Sequence, residues 1–201
     1  MTQLFLNQVM RPLSDRACLM RFGRDTQLWQ ASTGDIPALH EALERIQQSG
    51  YATHLYDRVF YACLYQLPRV DAGTQVDRII LLFSDGEDTS SLHTIGETIA
   101  IAQRREIQIY AVSLHPGRAP GWGRFNLAEA GPRDRRTALC PVKRKRLPGY
   151  FAEMERQMRA QYYVSFPPER QTPRFHNLRI ETTSSRHLKI HARQGYYFDG
   201  P

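Results

Sequence analysis

"RIILLFSDGEDTS", residues 78–90, is the stretch that decides the fold class of this chain. Five apolar residues at 79–83 run without alternation and then give way to three carboxylates, Asp85, Glu87 and Asp88. An unalternating apolar run is typical of a parallel strand that is covered on both faces. Ligands of open α/β sheets bind beyond the carboxyl ends of such strands. The acidic turn therefore indicates a binding site at the end of a buried strand.

The flanking sequence alternates between strand and helix patterns. An opening helical segment ends before Pro12, and "ACLMRFG" and "TQLWQAST" then predict a hairpin. Asp35 is a predicted helix cap, and a further helix carries Val59 and Cys63 on its apolar side. After the buried strand come the helix "TIGETIAIAQRRE" and the strand "IQIYAVSL". Strand, helix and strand at this spacing predict a right-handed crossover unit and an open α/β sheet.

The C-terminal part of the chain has a different pattern. No clean periodicity is present from His115 to Pro148, and a helix pattern then returns in "GYFAEMERQMRAQYY". Three alternating segments, "YYVSF", "HNLRIETTS" and "HLKIHARQGYY", predict a small antiparallel β extension. We therefore predict a main domain at 1–160, with an atypical basic insert at about 116–147, and a β extension at 161–201.

Composition excludes several classes of protein. Hydrophobic residues make up 41% of the chain and charged residues 23%, as in ordinary globular domains. No apolar stretch approaches the roughly 18 residues that a membrane helix needs, so we predict no membrane span. The N-terminus has no basic leader followed by a small-residue cleavage site. Cys18, Cys63 and Cys140 lie far apart, which indicates neither a disulfide framework nor a zinc site.

The positive charge of the chain is concentrated in one segment. Seven basic residues and one acidic residue at 133–146 give a local charge of +6, out of a total of +7. The rest of the chain is therefore nearly neutral, and no general basic face is indicated. The segment is either a solvated loop or an alternative functional site that binds nucleic acid through Lys143 to Arg146. It has no interleaved aromatic residues for base stacking, so nucleic acid is the less favoured ligand.

Two motifs together resemble the von Willebrand factor type A domain, and specifically a bacterial subgroup with a short C-terminal β extension. The family's metal-ion-dependent adhesion site combines a DxSxS turn, a threonine in a loop before a helix, and an aspartate in a (T/S)DG turn. Thr53 in "SGYATHLYDRVFYACLYQL" matches the threonine, and Asp85 in "FSDGED" matches the aspartate. The resemblance implies a Rossmann-like, doubly wound, mostly parallel sheet. It also implies an adhesion module that binds a protein ligand through an acidic side chain at a Mg²⁺, Mn²⁺ or Ca²⁺ ion.

The chain departs from the family pattern at its start. No DxSxS turn is present, and Met1 lies within what resembles the helix that follows that turn. The resemblance then implies that the first central strand and three metal ligands are missing, so we expect a fragment or a marginally stable chain. With Thr53 and Asp85 as its remaining side-chain ligands, the site should bind a cation at millimolar affinity or weaker, because such sites draw on about six ligands. Relatives of this type are often exported, and the sequence leaves localisation open.

The neighbouring polar residues have predicted roles as supports. Glu87 and Asp88 should tune the local potential or cap the next helix, and Asp57 should cap or brace the Thr53 loop. His54 is interpreted as a loop residue. The chain has neither a Walker-type glycine loop nor a G-x-S-x-G elbow, and its histidines have no paired nucleophile, so we predict no enzymatic activity.

Overall fold

The structure is a computed structural model of the 201-residue chain. It describes residues 1–23, 26–46, 54–67, 76–84, 88–113, 146–164, 166, 174–181, 183 and 195–198. Most of the basic insert and residues 184–194 of the predicted extension lie outside these ranges.

The described residues form five α-helices, six strands and one π-helical segment. The helices are α1 (Thr2–Val9), α2 (Ile36–Arg45), α3 (Leu55–Tyr61), α4 (Ile95–Arg104) and α5 (Leu147–Arg159), and the π-helical segment Ala62–Gln66 continues α3. The strands are β1 (Ala17–Phe22), β2 (Thr26–Thr33), β3 (Arg78–Ser84), β4 (Ile107–Ser113), β5 (Arg174–Asn177) and β6 (Gly195–Phe198). They form three two-stranded sheets, β1–β2, β3–β4 and β5–β6.

The chain divides into two compact units that interleave along the sequence. Unit 1 contains Met1–Arg58, Glu87–Leu92 and Val142–Val164. Unit 2 contains Val59–Gly86, His93–Pro141 and Ser165–Pro201. The predicted domain boundary at 160/161 stays a prediction.

Unit 1 is built on a contact between the first and last of its helices. The Phe5 ring on α1 meets the Phe151 ring on α5 edge to face, with 5.4 Å between the ring centroids. Leu6 and Val9 on α1 are also buried, as is Met154 on α5. These apolar positions recur at helical spacing, so each helix turns one stripe inward. The helix pair therefore supplies an apolar core between segments more than 140 residues apart in sequence.

The predicted hairpin and the helix that follows it complete unit 1. Strands β1 and β2 pair antiparallel, with register shifts near Leu19, and α2 contacts both of them. The carboxylate of Asp35 accepts a hydrogen bond from the Ala38 backbone N–H at 3.1 Å, which confirms the predicted cap. Leu39 and Ala42 form the buried side of α2. The local signals of this region therefore predicted both its elements and their order.

Unit 2 contains β3, the strand that precedes the acidic turn. Strands β3 and β4 pair in parallel with an unbroken register from Arg78↔Ile107 to Ser84↔Ser113. Helix α4 joins the two strands in sequence and packs on β4, where Ile107 and Ile109 are buried. The predicted strand–helix–strand unit is thus present with parallel strands. Burial raises the pKa of the nearby Cys63 thiol to about 12, so Cys63 stays protonated and serves as a core residue.

The β extension is only partly as predicted. Strands β5 and β6 pair antiparallel, as expected, but β5 ends at Asn177 and the described residues 178–181 are unpaired with any strand. The predicted strand "YYVSF" is wrong for its described residues, 162–164 and 166, which form no strand. Tyr162 is 94% exposed. The Phe166 ring meets the Tyr196 ring of β6 edge to face, with 5.4 Å between the centroids. This segment therefore contacts the β5–β6 pair through a side chain and is not a strand of it, because strand propensity depends on context.

The mixed α/β class is therefore established, with one parallel pair among the three described pairs. The sequence also predicted a single doubly wound sheet that lacks its first central strand. The three described strand pairs do not test that arrangement, so it stays a prediction. The alternative nucleic-acid segment at 133–146 lies outside the described residues except for Arg146.

Candidate functional site

The two predicted metal ligands, Thr53 and Asp85, lie outside the described residues, as does Glu87. Their neighbours in sequence are described. His54 directly follows Thr53, and the buried Ser84 at the end of β3 directly precedes Asp85. Asp88 resumes the chain three residues after Asp85. The described part of the candidate site therefore consists of the residues beside the two motifs.

Helix α3 begins at Leu55, and two of its first N–H groups donate to side chains of the later loop. The His54 carbonyl accepts the first helical hydrogen bond, from Arg58 N–H at 3.0 Å. The first N–H groups of any helix lack helical acceptors, and a side chain at the N-cap usually supplies them. Here the acceptors come from more than 30 residues later in the chain. Tyr56 N–H donates to Asp88 Oδ1 at 3.2 Å, and Asp57 N–H donates to Ser91 Oγ at 3.2 Å.

The Asp57 side chain also links the helix to the later loop. Its two carboxylate oxygens accept from Leu92 N–H at 3.1 and 3.0 Å, and the residue is only 7% exposed. Within the loop, Ser91 Oγ–H donates to Asp88 Oδ1 at 2.5 Å and Ser91 N–H donates to Asp88 Oδ2 at 3.3 Å. We call these five residues, Tyr56, Asp57, Asp88, Ser91 and Leu92, the clasp.

The carboxylates of Asp57 and Asp88 accept hydrogen bonds from uncharged N–H and O–H groups, and the His54 ring lies close to Asp57. His54 Nδ1 lies 3.9 Å from Asp57 Oδ2, so His54 is more than the loop residue that the sequence predicted. Both carboxylates also lie near the N-terminal end of α3, where the helix dipole favours negative charge. The clasp is therefore an electrostatically consistent contact between the start of α3 and the loop at 88–92.

The predicted capping role of Asp88 needs correction. Asp88 was expected either to tune the local potential or to cap the next helix, but its carboxylate accepts a hydrogen bond from Tyr56 N–H in the preceding helix, α3. The next helix, α4, is capped by Thr94, whose Oγ1 accepts from Glu97 N–H while the Glu97 carboxylate accepts from Thr94 N–H. That backbone hydrogen bond from Thr94 lowers the pKa of Glu97. Asp57 lies in the first turn of α3, and its carboxylate accepts from Leu92 N–H of the later loop. Its predicted role at the Thr53 loop stays a prediction, because Thr53 lies outside the described residues.

The described residues alone do not make a metal centre. Among the residues that the structure describes, no group of three or more His, Cys, Asp or Glu side chains is placed to hold a metal ion. The carboxylates of Asp57 and Asp88 accept hydrogen bonds from N–H and O–H donors of α3 and of the loop at 88–92. The predicted ligands remain Thr53 and Asp85.

Ser91 is the residue that sequence reasoning missed. Its hydroxyl both accepts from Asp57 N–H and donates to Asp88, so it links the two acidic residues. The run "DTSS" at 88–91 is dense in residues whose side chains bond to nearby backbone groups, which signals a structured loop. That signal is local, however, and it does not identify a backbone partner 34 residues earlier.

Similarity to one solved structure supports the fold class. The chain is similar to an aerotolerance-related membrane protein from Bacteroides fragilis, with a TM-score of 0.50 and 17% identity over 78% of this chain and 85% of that one. It is also similar to the conserved hypothetical protein BatB from Bacteroides thetaiotaomicron, with a TM-score of 0.45, 18% identity, and coverage of 78% and 75%. No protein-family model and no curated protein sequence matches the chain.

None of the helices in the described ranges is both long enough and apolar enough to cross a bilayer. Cys18 and Cys63 are free thiols.

Proposed function

We propose that this chain is a von Willebrand factor type A module that binds a protein ligand at a partial divalent-cation site. The clasp is the observation that carries the proposal. It fastens the start of α3 to the loop at 88–92 through hydrogen bonds of 3.0–3.2 Å. Thr53 lies three residues before Tyr56, and Asp85 lies three residues before Asp88. The contact therefore supports a site that draws on both motif segments.

The chemistry of the two proposed ligands suits a hard cation. Asp85 supplies a negative oxygen and Thr53 a neutral one, and oxygen ligands favour Mg²⁺, Ca²⁺ or Mn²⁺ over softer metals. A bound cation would offer an open coordination position to a carboxylate of the protein ligand. Two side-chain oxygens leave most of the coordination to water, so the proposed affinity is weak.

Exposed aromatic side chains support a protein as the ligand. In unit 2, the rings of Tyr61 and Tyr65 stack with 6.0 Å between centroids, and Tyr65 is 72% exposed. Both lie along α3 and its π-helical continuation, and π-helical turns occur frequently at functional sites. Tyrosine is enriched in protein interfaces and contributes large contact area at a small entropic cost.

A Mn²⁺ titration tests the proposal. Electron paramagnetic resonance reports free Mn²⁺ directly and suits affinities in the millimolar range. We expect saturable binding by the unaltered chain and loss of that binding in Asp85→Ala, because the variant removes the one proposed anionic ligand. Thr53→Ala should weaken binding less, because it removes a neutral oxygen.

Asp77→Ala is the matched control for charge. It makes the same chemical change as Asp85→Ala just before β3, at the opposite end of the strand from Asp85. Binding should survive this substitution. Equal losses in the two aspartate variants would mean that Mn²⁺ responds only to overall charge, and the proposed site would then be wrong.

A further inference from the structure

Four aromatic rings of unit 2 form one continuous cluster. They belong to Phe60, Tyr61, Tyr65 and His93, and we call these four residues the aromatic cluster. Phe60 and His93 stack with 3.9 Å between ring centroids, and the Tyr61 ring meets the His93 ring edge to face at 5.7 Å. The Tyr65 ring stacks on Tyr61, with 19° between the ring planes. Tyr61 and Tyr65 are also exposed, so the stack ends in ring surface that faces solvent.

The end of α4 that lies beside the aromatic cluster carries a negative charge. His93 directly precedes Thr94, the cap of α4, and the exposed Glu97 carboxylate accepts from Thr94 N–H at 2.7 Å and from Thr94 Oγ1–H at 2.8 Å. These hydrogen bonds lower the pKa of Glu97, and the charge of His93 acts in the same direction, so the carboxylate is ionised at neutral pH. Arg104 lies in the last turn of α4, at the opposite end of the helix. The aromatic cluster therefore adjoins the acidic end of α4.

We propose that the aromatic cluster binds an arginine side chain of a protein partner, with the guanidinium stacked on the exposed ring of Tyr65. The faces of aromatic rings attract cations, and arginine takes this position more often than lysine. A planar guanidinium extends a stack of near-parallel rings, and its charge complements that of Glu97. The chain makes a contact of this kind within unit 1, where the Arg21 guanidinium lies 5.6 Å from the centroid of the Trp29 ring. The proposal goes beyond the proposed function, because it needs no bound cation.

Two short peptides test the proposal. One is acetyl-Gly-Arg-Gly-Arg-Gly-amide, and the other has citrulline in place of each arginine, which keeps the planar end of the side chain and removes its charge. Binding is followed by NMR through the backbone amide resonances of the π-helical segment Ala62–Gln66. We expect saturable binding of the arginine peptide, at least about two- to fivefold tighter than the citrulline peptide. EDTA is present throughout, so this measurement and the Mn²⁺ titration succeed or fail separately.

Substitutions of Tyr65 test the ring face. Tyr65→Leu should weaken binding of the arginine peptide about two- to fivefold, because it removes the ring and keeps an apolar side chain. Tyr65→Phe should bind like the unaltered chain, since the phenyl ring keeps its face. Tyr162→Leu is the matched control, because it removes an exposed tyrosine ring from unit 1. It should leave binding unchanged.

Glu97→Gln tests the charge. Glutamine also serves at this position of a capping box, so the variant keeps the start of α4 while losing the negative charge. It should weaken binding of the arginine peptide by no more than about fivefold, as expected for an exposed charge pair. Glu106→Gln is the control, since it makes the same change just beyond the opposite end of α4. It should have the smaller effect.

Three results would overturn the proposal. Equal affinity for the arginine and citrulline peptides would mean that the aromatic cluster selects no cation. Unchanged binding in Tyr65→Leu, or an equal loss in Tyr162→Leu, would mean that the Tyr65 ring does not hold the guanidinium. Equal losses in Glu97→Gln and Glu106→Gln would mean that the peptide responds only to the overall charge of the chain.

Discussion

Two regions of unit 1 are fastened by different interactions. Helices α1 and α5 meet through buried apolar side chains, with Phe5 and Phe151 in edge-to-face contact. The clasp joins α3 to the loop at 88–92 mainly through hydrogen bonds to backbone N–H groups. Burying one large apolar side chain contributes about 1.5–3 kcal/mol, whereas one hydrogen bond contributes about 1 kcal/mol net.

The two kinds of contact differ in what they contribute: apolar contacts mainly stabilise the fold, and hydrogen bonds mainly fix the position of chain segments. Apolar contacts are non-directional, so the α1–α5 pair favours compactness more than any one orientation. Hydrogen bonds weaken steeply when their geometry is poor, so the clasp selects one arrangement of its two segments. We therefore expect substitutions in the helix pair to lower the free energy of unfolding, and substitutions in the clasp to act mainly on local order.

The largest effect is expected for Phe151→Ala. Phe151 has no exposed surface, and its removal leaves a cavity beside Phe5. The free energy of unfolding should fall by about 3–5 kcal/mol, as measured by urea denaturation. Tyr162→Ala is the control, because this exposed aromatic should change stability by less than about 0.5 kcal/mol. A small effect at Phe151 would show that the α1–α5 contact is not the main source of stability in unit 1.

A smaller and pH-dependent effect is expected for Asp15→Asn. Both Asp15 oxygens accept from the guanidinium of Arg159 on α5, and Arg11 N–H donates to Asp15 at 2.9 Å. Burial raises the pKa of Asp15, but the hydrogen bonds from Arg159 and Arg11 and the charge of Arg159 outweigh it and lower the pKa. At neutral pH the substitution should cost about 1–2 kcal/mol, between the values for exposed ion pairs and for well-formed charged hydrogen bonds.

The sign of the pH dependence follows from that lowered pKa. The unfolded chain, with an Asp15 pKa near the ordinary value of 3.8, binds a proton before the folded chain does. The Asp15 contribution is therefore complete above pH 3.8 and is lost as the pH falls through the lower folded pKa. Unfolding free energies measured from pH 6 downward should converge for the unaltered chain and Asp15→Asn. Glu153→Gln breaks an exposed pair with Arg156. Its free energy of unfolding at neutral pH should therefore stay close to that of the unaltered chain.

The same contrast explains how much could be predicted from the sequence. Helices α1 and α5, the cap at Asp35 and the parallel strand β3 were predicted from local patterns, and the structure confirms each of them. The clasp was not predicted, because its donors and acceptors lie 32 to 35 residues apart. Capping rules look only a few residues along the chain, so they assigned Asp88 to the wrong helix.

The wrong strand prediction for residues 162–164 and 166 has a different cause. "YYVSF" has strong strand propensity, but its described residues form no strand. A strand also needs a hydrogen-bonding neighbour, and sequence spacing alone does not supply one. The candidate ligands Thr53 and Asp85 came from the family resemblance, and they stay predictions because the structure describes only the residues beside them.

The smallest expected effect is a coupling energy within the clasp. Because Ser91 bonds to both acidic residues, Asp57→Asn should alter the arrangement that Asp88 holds, and the two substitutions should not be additive. A double-mutant cycle of Asp57→Asn and Asp88→Asn should give an interaction of about 0.5–1 kcal/mol in the free energy of unfolding. The cycle of Asp57→Asn with Phe151→Ala should be additive, because the two side chains share no partner in the described contacts. Additivity in both cycles would mean that the clasp hydrogen bonds act separately, and the distinction between a region that stabilises and a region that positions would then fail.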